Sequence, residues 1–181
     1  MKVFILCGGF GTRLDDQGKL KAKTMINVGN VPILIHIIKN FLHQGFNEFV
    51  LCGGHKIESI YEFFLKKKTN IFFDNKNHLS LSCKINNKKT FIDILDTGKN
   101  TGTGGRIKKA FIKLKLSDDF LVTYGDGLSN VSIKNLLKFH YKKKSELTLT
   151  SVRPKQRYGV LKIKKDKVKY FDNSKKKSDV Y

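Results

Sequence analysis

Residues 2–14, Lys2-Val3-Phe4-Ile5-Leu6-Cys7-Gly8-Gly9-Phe10-Gly11-Thr12-Arg13-Leu14, decide how this chain reads. Positions 2–7 are short, apolar and ended by glycines, which is the pattern of a strand buried on both faces. The glycines that follow let backbone N–H groups approach a phosphate, because no side chain stands between chain and ligand. Arg13 adds a fixed cation at the end of the turn. No Gly-Lys-Ser/Thr follows, so this is not a Walker loop, and the last glycine of a dinucleotide fingerprint is missing. Taken alone the stretch is an ordinary strand-to-loop turn, and its meaning depends on what surrounds it.

Working outward, residues 32–44 open on Pro32 and carry Ile33, Ile37, Ile38, Phe41 and Leu42 at helical spacing before Gly45. Proline in the first turn and glycine just past the end punctuate a helix. A second buried strand is expected at 48–52, a helix at about 56–67, and two antiparallel strands over 78–95 around Asn86-Asn87. Then follow a helix at about 103–115, a strand at 119–124 ending in Tyr124-Gly125-Asp126-Gly127, a helix at 132–144, a strand at 146–152 and a hairpin over 158–171. Strands alternating with helices at this spacing predict an α/β fold with a mostly parallel central sheet covered on both faces. Ligands of such sheets sit outside the carboxyl ends of the strands. The two glycine-marked strand ends, 8–13 and 125–127, are therefore where chemistry is expected. No internal repeat or linker interrupts the chain, and one domain over 1–181 is expected.

Composition narrows the function. The 181 residues are 40% hydrophobic, enough for one core, and no window is apolar for the length of a membrane span. The N-terminal run enters its glycine turn without a cleavage-site pattern, which argues against a signal peptide. Cys7, Cys52 and Cys83 form an odd set with no C-x-x-C pair, and the five histidines show no metal-ligand spacing. A soluble, cytoplasmic, reduced protein is the expectation, with Cys7 a packed core residue. The net charge of +21 suits a nucleic acid, an anionic membrane or a polyanionic small molecule. Only four of the 36 basic residues are arginine, and the lysines are scattered over surface-like stretches. Nucleic-acid readers lean on arginine and interleaved aromatics, so neither a nucleic-acid nor a membrane partner is expected. We attribute the lysine excess to AT-rich coding.

Several separated motifs then fall in register. Gly-Gly-x-Gly-Thr-Arg-Leu after the first strand, a basic segment, and a glycine turn leading through Pro32-Ile33 into a helix resemble the signature of sugar-1-phosphate nucleotidyltransferases. Lys21-Ala22-Lys23-Thr24-Met25 stands where the cytidylyltransferase branch has Lys-Pro-Lys-Pro-Met. Asp96-Thr97-Gly98, Thr103-Gly104-Gly105-Arg106 and Thr123-Tyr124-Gly125-Asp126-Gly127 follow in that branch's order, and Arg157-Tyr158-Gly159 is similar to its Arg-Phe-Gly. The resemblance runs from residue 1 to about 171 and is closest to the glucose-1-phosphate cytidylyltransferases. It implies a Rossmann-like, three-layer (GT-A-like) fold.

The resemblance also implies the chemistry. Enzymes of this kind join a nucleoside triphosphate, here CTP, to a sugar 1-phosphate, here glucose 1-phosphate, with magnesium as cofactor, feeding surface polysaccharide synthesis. Leu6, Gly8, Gly9, Phe10, Gly11 and Thr12 would hold the base and phosphates, and Arg13 would grip the leaving pyrophosphate. Lys23 would steady charge at the α-phosphate, Thr101 and Arg106 would face the nucleotide or sugar phosphate, and Asp126 would ligate magnesium. Relatives in this branch form oligomers, so a homo-oligomer is expected.

Four departures stand against the match. Both prolines around Lys23 are replaced, by Ala22 and Thr24, and the turn lysine is Val31. The family's Glu-Lys-Pro falls on Asn173-Ser174-Lys175, one position out of register. The sequence ends at Tyr181, where the family continues to a second metal-binding aspartate. The C-terminal part of the family domain is therefore expected to be missing, leaving an open sheet edge. A longer gene product and a degenerate relative both fit. The alternatives in function are a non-catalytic nucleotide-binding remnant and, from another class, a basic nucleic-acid-binding protein.

Overall fold

The computed structural model describes residues 1–9, 21–67, 69–152, 160–164 and 167–172, with backbone only for 160–164, 171 and 172. The opening apolar run forms β1 (Val3–Leu6), whose Val3, Phe4 and Ile5 are fully buried. It lies between two parallel neighbours, β4 (Glu48–Gly53) and β8 (Leu121–Tyr124), with Leu6 level with both Cys52 and Tyr124. Before β4 come a short hairpin, β2 (Asn27–Val28) with β3 (Val31–Pro32), and helix α1 (Ile33–His43). After β4 come α2 (Glu58–Leu65), the strands β5 (Thr69–Asn75), β6 (His78–Ile85) and β7 (Lys88–Asp96), and α3 (Thr103–Lys113). The six-stranded sheet has the order β5-β6-β7-β4-β1-β8. Its inner pairs β7–β4, β4–β1 and β1–β8 are parallel, while β5–β6–β7 is an antiparallel edge.

Alternation within β4 shows how the layers form. Val50 and Cys52 join Phe4, Leu6, Leu95 and Ala110 of α3 in one buried cluster, with Ile107, Leu114 and Phe120 packed against it. The intervening Phe49 turns to the other face and meets Phe41 of α1 edge-on, ring centroids 6.4 Å apart. Helices thus cover both faces of β1 and β4, so these two strands are almost continuously apolar, whereas β7 and β8 alternate in burial. Each fully buried Leu, Ile or Phe contributes about 1.5–3 kcal/mol. Asn86 and Asn87, at φ 49° and 59°, make the tight turn between β6 and β7, the backbone that an Asn pair adopts most readily among non-glycine residues.

Two differences from the sequence reading have physical causes. Strand β5 was not expected, because Ile71, Phe72 and Phe73 are consecutive rather than alternating. All three are exposed, and the strand bulges between Ile71 and Phe73, as edge strands often do. In the other direction, 146–152 forms no strand. Leu147, Leu149 and Val152 are 73–78% exposed there; alternation alone does not hold a strand that has no ladder to join.

The chain divides into two compact units, Met1–Lys134 and Asn135–Tyr181. The second holds most of α4 (Ile133–Lys143) and the antiparallel pair β9 (Val160–Lys164) and β10 (Lys167–Asp172). Among the described residues no helix is long and apolar enough to cross a membrane.

Candidate active site

The first unit opens at the carboxyl ends of β1 and β8 into a cleft of about 360 Å³. Leu6, Gly8 and Gly9 line it from β1, the 99–103 loop and Arg106 from the segment entering α3, and Lys23, Tyr124 and Asp126 complete it. Lys23, Thr101, Arg106 and Asp126 are separated by up to 103 positions and arrive in one place. Of the other expected site residues, Phe10, Gly11, Thr12 and Arg13 lie outside the described residues, as do Arg157 to Gly159 and Lys175.

Lys23 opens a turn of 3-10 helix, Lys23–Met25, whose Thr24 and Met25 are buried. Gly125 brings that turn up to the end of β8: a Cβ there would run into the Thr24 methyl and come 2.9 Å from the Leu6 carbonyl. This contact sets Lys23 Nζ 2.5 Å from Asp126 Oδ2, both side chains about 40% exposed. The lost proline at Ala22 leaves little trace in the backbone. Ala22 has φ −59° and ψ 142°, the extended angles that proline imposes. Its N–H donates to Ser59 Oγ at 3.0 Å, a bond that a proline could not make.

Arg106 is only 5% exposed. Its Nη1 donates to the Gly53 carbonyl (2.7 Å), Thr97 Oγ1 (2.8 Å) and the Gly98 carbonyl (2.8 Å). Nη2 donates to the carbonyls of Gly8 (2.9 Å) and Lys99 (3.2 Å). Burial pulls its pKa below the usual arginine value, since desolvation disfavours a charge. Thr101 Oγ1 donates to the Thr97 carbonyl at 2.7 Å and accepts from Lys109 Nζ at 3.0 Å. Gly98, at φ 94°, and Gly105 would each bring a Cβ within 2.9 Å of the Thr101 side chain. Gly98 of Asp-Thr-Gly and Gly105 of Thr-Gly-Gly-Arg are thus required by a loop folded tightly on itself, whereas a Cβ at Gly104 would meet nothing.

Gly102 caps α3 without a side chain, and Thr103, Gly104 and Gly105 are exposed. The first N–H groups of a helix have no partner within it, and together with the helix dipole they favour an anion. Lys99, Asn100, Gly102, Thr103 and Tyr124 also line the cleft and were given no role from the sequence, although Thr103 and Tyr124 lie inside quoted motifs. A lone lysine or asparagine between motif residues carries no signal of its own. Cys7 and Cys52 are not part of the chemistry. Burial pushes the Cys52 thiol up to about 12 and Cys7 higher still, so both stay protonated and inert.

Asp126 is the one carboxylate lining the cleft among the described residues, and no cluster of three metal-ligating side chains occurs among them. A single hard oxygen ligand fits magnesium, which keeps waters and binds through substrate phosphates, and does not fit a preformed protein cage.

The cleft's glycine-lined floor, helix N-terminus, cations and single carboxylate suit two phosphate-bearing substrates, and comparison with known proteins agrees. Residues 2–174 match the Nucleotidyl transferase family model. The chain belongs to that family. It is 35% identical to glucose-1-phosphate cytidylyltransferase of Salmonella typhimurium over 183 residues, spanning 97% of this chain and 70% of the relative. The enzyme of the same name from Salmonella typhi matches equally, at 35% over 97% and 70%. A crystal structure of HddC from Yersinia pseudotuberculosis, complexed with GMP-PN, superposes with a TM-score of 0.60 at 24% identity, over 97% of this chain and 70% of that one. That likeness shows the Rossmann-like nucleotidyltransferase fold. The protein is a sugar-1-phosphate nucleotidyltransferase by family, similar to glucose-1-phosphate cytidylyltransferases and shorter than they are.

Proposed function

We propose that the protein joins CTP to glucose 1-phosphate, giving CDP-glucose and pyrophosphate, in the cytoplasm and with magnesium. The product would serve O-antigen and lipopolysaccharide synthesis, and the chain would work as a homo-oligomer. The observation that carries this reading is the Lys23–Asp126 pair at the cleft. It is a partly exposed cation joined to a hard-oxygen ligand, the two groups that a phosphoryl transfer without a nucleophilic side chain requires. The identity to two cytidylyltransferases supports the choice of base and sugar.

In this reading an oxygen of the sugar phosphate attacks the α-phosphorus of CTP. The bond from that phosphorus to the bridging oxygen breaks, and pyrophosphate leaves with the electron pair. When bound, magnesium supplies charge neutralisation at the phosphate oxygens. Asp126 would hold it, Lys23 would turn from Asp126 to the α-phosphate, and Arg13 would grip the departing pyrophosphate. Gly8 and Gly9 leave room for close approach of phosphate to backbone, and the first N–H groups of α3 face the anion.

The test is pyrophosphate release from magnesium, CTP and glucose 1-phosphate, with ATP, UTP, GTP and dTTP in parallel and Asp126→Ala as control. Release with CTP that falls at least about 100-fold in Asp126→Ala, in line with loss of a transition-state charge partner, is expected. That Asp126 is the one cleft carboxylate among the described residues favours a second reading, in which the chain holds a nucleotide without turning it over. CTP binding with no release under magnesium or manganese would replace the first reading by that one.

A further inference from the structure

We propose that Ser59 is a positioning residue for Lys23. Through one hydrogen bond to the Ala22 N–H, its hydroxyl holds the backbone from which Lys23 reaches the cleft. The inference rests on the nucleotide reading of the cleft and adds to it a residue on a neighbouring helix.

The bond has a direction fixed by its surroundings. Ser59 is the second residue of α2. Its Oγ donates to the Lys56 carbonyl at 2.8 Å, and its own N–H reaches the same carbonyl at 3.2 Å. A hydroxyl has one hydrogen, so with that hydrogen given to Lys56 only lone pairs are left to face Ala22. The Ala22 N–H donates to them at 3.0 Å, across 37 positions of sequence. Ala22 is 1% exposed, and a buried N–H left without an acceptor is costly.

What the bond holds is the turn that presents Lys23. The Met25 N–H returns to the Ala22 carbonyl at 2.8 Å, and the Ile26 N–H to the Lys23 carbonyl at 3.2 Å. The next residue, Thr24, has its methyl against Gly125, in the space that a Cβ there would need. The turn is therefore held from α2 by Ser59 and from the end of β8 by Gly125. The Lys23 side chain can then swing from Asp126 to a phosphate while its backbone stays in place, and placement of that backbone sets where the ammonium arrives. The angles at Ala22, φ −59° and ψ 142°, are one of several regions open to an alanine, whereas a proline is locked at that φ. Where the resembling motif has proline, the ring fixes the backbone locally; here a serine from another element does so. Neither Ala22 nor Ser59 is among the described residues lining the cleft, so both can be changed without touching the ligand.

Ser59→Ala removes the acceptor. Ala22→Pro removes the donor and drives a ring carbon at the hydroxyl, but combined with Ser59→Ala it fixes the same backbone by the ring instead. CTP binding would be measured by calorimetry for these variants and for Lys23→Ala, well below their melting temperatures. Affinity should fall about fivefold in Ser59→Ala, the change that one ordinary hydrogen bond carries. The combined Ser59→Ala, Ala22→Pro variant should return to within about twofold of the unsubstituted chain, since proline keeps its φ without a partner. Added to Lys23→Ala, Ser59→Ala should cost nothing further, because it acts through that lysine. A serine that served only the fold would cost the same affinity with or without Lys23. In the empty protein, amide exchange at Ile26 should quicken in Ser59→Ala and slow again in the combined variant. Phe91, whose N–H bonds the Asn47 carbonyl, should not change. Full CTP affinity in Ser59→Ala, an equal further loss on top of Lys23→Ala, no recovery with proline, or unchanged exchange at Ile26 would each overturn the proposal. If the unsubstituted chain does not bind CTP, the nucleotide reading fails and the role given to Ser59 falls with it, even where exchange shows that Ser59 holds the turn.

Discussion

Arg106 and Lys23 line the same cleft, and the protein holds them in opposite ways. Arg106 is buried, meets five neutral acceptors and has no carboxylate partner among the described residues. Lys23 is 41% exposed at its side chain and meets one partner among the described residues, the carboxylate of Asp126. A cation fixed by several backbone carbonyls cannot be redirected without undoing the loops that it ties. A cation paired once, near solvent, moves at little cost. The difference separates two tasks that sequence motifs run together, building the cleft and acting within it.

The largest effect should come from testing that separation by stability. Arg106→Ala strips the carbonyls of Gly8, Gly98 and Lys99 of their guanidinium partner inside the protein. We expect a loss of about 3 kcal/mol, within the range for breaking a buried charged network, and a melting temperature lower by roughly 6–12 °C. Lys23→Ala removes an exposed pair and should change stability by less than about 1 kcal/mol. Comparable losses in the two variants, measured by urea unfolding, would erase the distinction.

A smaller effect probes the buried side through its neighbours. Burial pushes the Cys52 thiol up to about 12, and the nearby Arg106 guanidinium pulls it partly back. An unfolded thiol titrates near 8.5, so between about pH 9 and 12 the unfolded chain gives up a proton that the folded chain keeps. Stability is then fully present below pH 8.5 and falls as pH rises, by up to about 1.4 kcal/mol per pH unit for each such thiol. Melting curves at pH 8, 9, 10 and 11 should show this decline. Cys52→Ala should lessen the slope while Cys7 keeps its own share of it, and Lys23→Ala should leave it unchanged; an identical slope in Cys52→Ala would remove the Cys52 thiol as a cause.

How much of this was legible in the sequence follows the same division. The buried strand ahead of Gly8-Gly9, the helix between Pro32 and Gly45 and the Asn86-Asn87 turn were readable because each is set by local chemistry. The meeting of Lys23, Thr101, Arg106 and Asp126 was readable only through motifs in register, since no short-range pattern joins residues some 100 positions apart. The knot beneath Arg106 was not readable. Nothing in Thr-Gly-Gly-Arg says that its arginine faces carbonyls rather than solvent or ligand, and Gly54 looks like any residue of a turn until the guanidinium is seen against it. Edge strand β5 escaped for a different reason: its apolar residues lie in the open, so burial imposed no alternation for the eye to find.

The smallest effect concerns the exposed pair and the metal. In the empty cleft Asp126 is already satisfied by Lys23, and no second carboxylate lines the cleft among the described residues. A divalent ion arriving alone would have to displace an ammonium from the one protein oxygen ligand offered. A nucleotide removes that competition, because its phosphates draw Lys23 off and add oxygens of their own. Manganese without nucleotide should therefore bind weakly, and Lys23→Ala should tighten that binding by a few-fold, about the strength of one exposed ion pair. In the presence of CTP the order should reverse, since the variant lacks the cation that helps hold the phosphates. Electron paramagnetic resonance of free manganese, titrated with and without CTP, reads both quantities. If Lys23→Ala leaves nucleotide-free binding unchanged, Asp126 is not restrained by its partner, and Lys23 acts on the nucleotide alone.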